Sequence, residues 1–419
     1  MMKMKRFTTI FFLSTIMIFM CLVPFSIARR AVDKLTEHDG GVNIDWEKLY
    51  PFEESRDIVQ EVKTSLIQYI KEKVENYTSH KLAGSHAIIG AAKSYEEFIG
   101  WNMAAAQDYN PVIKLSDGYL AGLVVSKDIT ENANAVKELS DFCRSLGIDY
   151  LYVNYPAKIC VSQDKDISGM LDFSNQNADN LLYMLRESGV RAYDLREILH
   201  NEGMNHHEAF FRTDHHWRPE TGLWAARHIL EILRDIYGWN VKPEILNPDS
   251  FEYKVYPEWF LGSQGTKLTL ARTKPDDFTM IYPKFSTHLR FEILSRGIDV
   301  SGDFSIFYEM SLVERKDYSL NTYAAYKYAD QPLDKIHNLL NHNGKKLLII
   351  HDSMSNCVIP FIALDIENID EIDLRHFTGS VRNYITSTRP DAVITAYHSG
   401  VPGRTLADNY PNNKLYDFR

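Results

Sequence analysis

The chain has 419 residues, 45% hydrophobic and 24% charged, which excludes a disordered or fibrous protein and allows one large folded core or two smaller ones. A formal net charge of −10 at pH 7 argues against nucleic acid or an anionic membrane surface as the main partner. Neutral carbohydrate, small molecules and proteins remain open.

The N-terminus differs from the rest. Lys3, Lys5 and Arg6 precede an apolar run from Phe7 to Ala28, long enough to span a bilayer. Residues 1–28 therefore read as a signal peptide or signal anchor, with small residues at Ser26-Ile27-Ala28 that suit cleavage. The expected location is outside the cytoplasm, secreted or tied to the cell membrane by this segment. Cys21 lies within the run and lacks the small residues that precede a lipidated cysteine. Cys143, Cys160 and Cys357 are too few and too scattered for a disulfide framework, and no CxxC pair exists.

Residues 29–110 read as a polar linker followed by a helical segment, because Ile58, Val62, Leu66 and Ile70 form one apolar stripe. A domain follows over 111–419. Val112 to Leu120, with Asp117-Gly118 as the turn, reads as a β-hairpin. Helices from about Glu131 and Asn177 then alternate with strands at Ile148–Val153 and Val190–Leu195. Pro219 opens a helix that stops at Gly238. Residues from about 240 to 332 break the alternation and read as an inserted lobe of strands and loops. Alternation resumes with a predicted helix at Leu333–Leu340, a strand at Leu347 and a helix after Met354. A strand near Ile369, a helix near Gly379 and a last strand at Ala392–Ala396 follow. Such alternation predicts an α/β fold with a parallel sheet covered on both faces.

Two segments hold the chemistry. Arg212-Thr213-Asp214-His215-His216-Trp217-Arg218-Pro219 sets a carboxylate and two imidazoles within three residues, just before a helix. Leu347 to Ser355 is a buried-strand pattern ending in Asp352-Ser353. A serine where a strand gives way to a helix stands at the mouth of an α/β sheet, beside backbone N–H groups that can hold an oxyanion. Ser353 is the expected nucleophile, His216 its general base and Asp214 the group that orients the base. The plainer reading makes Ser353 a helix cap and the loop a polar turn. In the catalytic reading His215 lines an acceptor site or points away.

Asn154 and Lys158, at the carboxyl end of a predicted strand, are oxyanion or substrate candidates; so is Arg375, for which a structural salt bridge is the alternative. Trp217 is expected to pack beneath the loop rather than to stack on sugar. Ser263 lies between Gly262 and Gly265, but no strand-to-helix turn surrounds it. His206, His207, Glu208, Asp214, His215 and His216 suggest a rival zinc site, weakened by the lack of an HExxH pattern and by the adjacency of the histidines. Neither a metal nor a cofactor is expected.

Thr213-Asp214-His215-His216-Trp217 with the later Asp352-Ser353 resembles the DHHW group, related to the alginate O-acetyltransferase proteins of the SGNH hydrolase-like superfamily. Asp117-Gly118-Tyr119-Leu120, Pro156-x-Lys158, Asp373-Leu374-Arg375 and Pro390 to Ile394 add weaker matches, so the resemblance runs from about Leu49 to His398. It implies a three-layer sandwich with a central parallel sheet, in a permuted order that sets acid and base before the nucleophile. It also implies Asp214, His216 and Ser353 acting together in an extracytoplasmic enzyme. Such an enzyme acetylates an exopolysaccharide acceptor, often beside a membrane acyl-transfer protein. One position departs: the glycine usual before the Asp-Ser or Thr-Ser pair is His351 here. The competing readings are a non-catalytic carbohydrate-binding or scaffold protein of an export complex and, behind it, a metallohydrolase.

Overall fold

Strands here are short and apolar because most are buried on both faces, and helices show one apolar stripe because each covers one side of a sheet. The computed structural model describes residues 112–115, 117–160, 172–270, 272–403 and 414–419, all within one compact unit, Leu82–Arg419. The expected signal segment and the 29–110 linker and helix lie outside the described residues. Among the described residues no helix is long and apolar enough to cross a membrane.

In chain order the elements begin with the hairpin β1 (Val112–Lys114) and β2 (Leu120–Gly122). Then come α1 (Thr130–Ser145), β3 (Asp149–Tyr155), α2 (Ser174–Glu187), β4 (Ala192–Asp194), α3 (Leu195–Asn201) and α4 (Pro219–Tyr237). The middle of the chain adds β5 (Phe251–Phe260), α5 (Ser263–Leu268), β6 (Asp276–Pro283), β7 (Leu289–Ile293) and β8 (Ile298–Gly302). The last third holds β9 (Leu333–Asn338), β10 (Lys346–His351), α6 (Ile359–Ile362), β11 (Asn368–Ile372), α7 (Val381–Thr388) and β12 (Ala392–His398).

Eight strands form the central sheet in the order β4-β3-β12-β10-β11-β9-β7-β8. The first five are parallel, while β9, β7 and β8 run antiparallel to their neighbours. The fold is the expected α/β sandwich, with a mixed rather than purely parallel sheet. Side chains alternate across it. Leu151, Val153, Leu347 and Ile349 pack with α3, α4 and the β5–β6 ribbon on one face. Tyr152, Leu348, Ile350 and Val393 pack with α1, α2 and α7 on the other.

Two sequence expectations are corrected. The helix expected over Leu333–Leu340 is strand β9, paired antiparallel with β11 and β7. Its buried face is Asp334, Ile336 and Asn338, so two of three inward residues are polar and the period of two was hidden. The helix expected after Met354 is a 3₁₀ turn over Ser353–Cys357, followed by the four residues of α6. Within 240–332, β5 and β6 form a two-stranded ribbon, whereas β7 and β8 extend the central sheet.

Candidate active site

The nucleophile turn begins where β10 ends. Asp352 caps the 3₁₀ turn, accepting the Met354 N–H on Oδ1 at 3.0 Å, while its carbonyl accepts the Ser355 N–H at 3.0 Å. This arrangement leaves Ser353 at the carboxyl edge of the sheet, and its own N–H makes no hydrogen bond among the described residues. An N–H in that position can serve a developing oxyanion.

The facing loop, between Phe211 and α4, is tied at every step. Phe210 and Trp217 pair as an isolated antiparallel bridge. Asp276 accepts the Arg212 N–H at 3.0 Å, and its other oxygen accepts the Thr213 N–H and hydroxyl at 2.8 and 2.6 Å. Trp217 is fully buried, donates from Nε1 to the Met354 carbonyl at 2.9 Å, and lies against the Tyr155 ring at 4.7 Å. The tryptophan therefore joins the loop to the nucleophile turn, a packing role rather than a sugar platform.

These constraints bring Asp214, His216 and Ser353 into one line. His216 Nε2 lies 2.8 Å from Ser353 Oγ, and His216 Nδ1 lies 2.5 Å from Asp214 Oδ1. Beside an acceptor-only carboxylate, Nδ1 must hold the proton, so Nε2 is free to accept the serine proton. Burial alone would raise the Asp214 pKa, but His215, His216 and the hydrogen bonds from His216 hold it far below the ordinary carboxylate range. Asp214 also accepts the His216 N–H at 3.0 Å and the Ser263 N–H at 2.5 Å. Both nitrogens of His216 are thus taken up by Asp214 and Ser353. Asp214, His215 and His216 lie close enough together to hold an ion, but both His216 nitrogens already have partners within the protein.

Other candidates fall elsewhere. His215 is exposed, donates or accepts at Ser263 Oγ across 3.1 Å, and lies on the His216 ring at 3.8 Å. Asn154 is buried, and its amide donates to Asp194 at 2.9 Å and to Ser399 at 3.1 Å, so it is no oxyanion donor. Lys158 is buried and donates to the carbonyls of Leu120 (2.6 Å) and Arg212 (3.4 Å) and to Gln264 (3.0 Å). Burial pulls its ammonium down to about 7, against the upward pull of Asp214 and Asp276. It ties β2, the histidine loop and α5 together. Arg375 pairs with Asp373 at 2.5 Å and Asp330 at 2.9 Å, the structural salt bridge. His206 lies 2.5 Å from the Ala157 carbonyl and His207 pairs with Asp117, so neither joins the Asp214–His216 site.

Three contributors escaped sequence reasoning. Tyr323, from the loop region before β9, stacks on His216 at 3.9 Å with 12° between the rings, and its hydroxyl lies 3.2 Å from the Ser353 carbonyl. Gly262 passes so close to Asp214 that an added Cβ would lie 2.2 Å from the Asp214 Cβ. His398, at the end of β12, donates its N–H and Nδ1–H to Asp352 Oδ2, each at 2.8 Å. The glycine-flanked Ser263 was a visible signal of the second; nothing local marks the other two.

With this geometry in view, residues 119–247 match the family model of the SGNH hydrolase-like domain of the acetyltransferase AlgX. This stretch is thus similar to an SGNH hydrolase-like domain of the AlgX type. Solved structures agree on the fold. A Bacillus cereus PatB1 structure with a sulfonyl adduct superposes with a TM-score of 0.61 at 16% identity, covering 75% of this chain and all of that one. A DHHW family protein from Eubacterium siraeum gives 0.54 at 18% identity, covering 75% of this chain and 96% of its own. No curated protein matches the chain significantly in sequence.

Proposed function

We propose that this SGNH hydrolase-like protein is an extracytoplasmic O-acetyltransferase that acetylates hydroxyl groups of a cell-surface polysaccharide through an acetyl-serine at Ser353. The observation that supports it most is the unbroken line Asp214–His216–Ser353, with contacts of 2.5 and 2.8 Å. The match of residues 119–247 to an acetyltransferase domain supports the choice of acyl group. The basic, apolar N-terminus supports export.

The chemistry follows from the proton positions. His216 Nε2 takes the Ser353 proton as Oγ attacks the acetyl carbonyl; the Ser353 N–H faces the oxyanion, and Asp214 stabilises the imidazolium. Collapse passes the His216 proton to the leaving group and leaves acetyl on Ser353. An acceptor hydroxyl then gives its proton to His216 Nε2 and takes the acetyl group. Water in the acceptor position makes the same site an acetylesterase. A membrane acyl-transfer protein is the natural donor partner of such an enzyme.

The test is Ser353→Ala on the full chain with an acetyl-ester probe. Turnover is expected to fall at least about a hundredfold with the far-ultraviolet spectrum unchanged. Retained turnover would remove Ser353 from the mechanism and favour the scaffold reading. Loss on chelation, with Ser353 dispensable, would favour a metallohydrolase.

A further inference from the structure

Beneath the nucleophile turn lies a cluster that the triad chemistry does not use. Lys327, Asp334, His351 and Glu371 are each at most 1% exposed. Asp334 and Glu371 sit directly opposite one another on antiparallel β9 and β11, an unfavourable like-charge pair by itself. Lys327 relieves it, with Nζ 3.2 Å from Asp334 Oδ2 and 3.1 Å from Glu371 Oε1. The second Glu371 oxygen lies 3.2 Å from His351 Nε2. The other ring nitrogen, Nδ1, lies 2.8 Å from the carbonyl oxygen of Asp352.

Two features separate this cluster from an ordinary buried ion pair. The first is that both nitrogens of His351 face oxygens. A carbonyl offers only lone pairs, so Nδ1 must hold a proton; a neutral ring would then turn the Nε2 lone pair on a carboxylate. The Nε2–Oε2 contact is within ion-pairing distance but is not aligned as a hydrogen bond. Burial alone would favour the neutral ring, but the Glu371 carboxylate outweighs it and raises the pKa against the opposing charge of Lys327. The second is the path of the chain that delivers Lys327. Lys327, Tyr328 and Ala329 have φ of 57°, 55° and 66°, three successive non-glycine residues in the left-handed region. Such backbone persists only where its surroundings enforce it. Here the Lys327 N–H donates to the Phe307 carbonyl at 2.8 Å, and Gln331 and Arg296 donate to the Tyr328 carbonyl at 2.7 and 3.1 Å.

We propose that His351, whose Nδ1 faces the Asp352 carbonyl at 2.8 Å, is a positioning residue for Ser353. It clamps the Asp352 carbonyl and thereby orients the peptide that bears the Ser353 N–H. In a trans peptide the carbonyl and the N–H point in opposite directions, so fixing one aims the other. Nδ1 and the Ser355 N–H both hold the Asp352 oxygen, while the Ser353 N–H stays open toward the site. The inference rests on the acyl-serine reading above. Preorganised donors of this kind act on the chemical step more than on substrate binding.

Two measurements on the full chain test it. The first is ¹⁵N NMR of histidine-labelled wild-type protein, with His351 assigned through its backbone. A proton on Nδ1, the ring nitrogen that faces the Asp352 carbonyl, is expected. The second compares His351→Asn, whose amide lies near the Nδ1 position, with His351→Gln, whose amide lies near Nε2. The rate of Ser353 labelling by a small serine-directed sulfonyl fluoride is expected to stay within about threefold in H351N and to fall at least about tenfold in H351Q. For an acetyl-ester substrate the H351Q loss is expected in kcat with KM held. A His351 ring without a proton on Nδ1, or equal losses in the two variants that follow their melting temperatures, would overturn the clamp. An inert wild-type Ser353 would instead sink the acyl-serine reading, and the Nδ1 proton would still decide whether His351 clamps the Asp352 carbonyl.

Discussion

His216 is constrained at both ring nitrogens and on both ring faces. Asp214 fixes its Nδ1 proton, Tyr323 stacks on one face, and His215 lies on the other. Replacing Asp214 by Asn keeps the shape but lets the amide donate to Nδ1, which forces the wrong tautomer on Nε2. Asp214→Asn is therefore expected to lower kcat by roughly 10³–10⁴-fold while the protein stays folded, the effect of that exchange in serine triads. Turnover of an acetyl-ester probe, with circular dichroism as the folding control, measures it; a loss of less than tenfold would mean that Asp214 does not set the tautomer. The pairing of Asp214 with His216 was legible because two residues of a bent loop can face one pocket. Tyr323 was not, because its ring reaches His216 from a distant part of the chain.

Two glycines let elements approach closely enough to build the site. Gly222 lies in α4, where an added Cβ would meet the Cys357 carbonyl oxygen at 2.2 Å and its Sγ at 2.6 Å. Backbone cannot step aside as a flexible side chain can, so Gly222→Ala is expected to destabilise by about 1–3 kcal/mol, the usual cost of overpacking. A lowered melting temperature reads this directly, and an unchanged one would show that α4 slides freely over the nucleophile turn. Gly262 differs, because its backbone brings the Ser263 N–H onto Asp214. Gly262→Ala is expected to lower kcat by more than its loss of stability explains; activity that simply follows the melting temperature would contradict this. The helix–strand alternation was readable where inward residues are apolar. It failed at β9, whose inward face holds Asp334 and Asn338.

Across the described residues, parallel strands bring Ser353 to one sheet edge while antiparallel β9, β7 and β8 widen the sheet beyond it. Two buried carboxylates at that edge link stability to pH. In both, burial alone would raise the pKa. Asp214 is instead held low chiefly by His215 and His216, and Asp352 by the charge and hydrogen bonds of His398. A carboxylate with a depressed folded pKa contributes stability above its unfolded value, near about 4, and loses it as pH falls toward the folded value. The melting temperature is thus expected to drop as pH goes from about 5 to about 3, and to drop less in Asp352→Asn. An identical acid slope in that variant would show that the Asp352–His398 pair stores no such energy.

The α/β class, the strand that ends at Ser353 and the Asp-x-His loop were all set by local pattern. Side-chain period and residue type act within a few residues, where a single chain can be read. The tertiary structure decided everything that depends on distant segments meeting. It turned Asn154 and Arg375 to buried polar partners, and Lys158 into a tie between loops. It also brought Tyr323 and Gly262 to the triad and gathered Lys327, Asp334, His351 and Glu371 into one buried cluster. The physical reason is that a buried polar group must find a partner, and which partner it finds depends on how the elements pack.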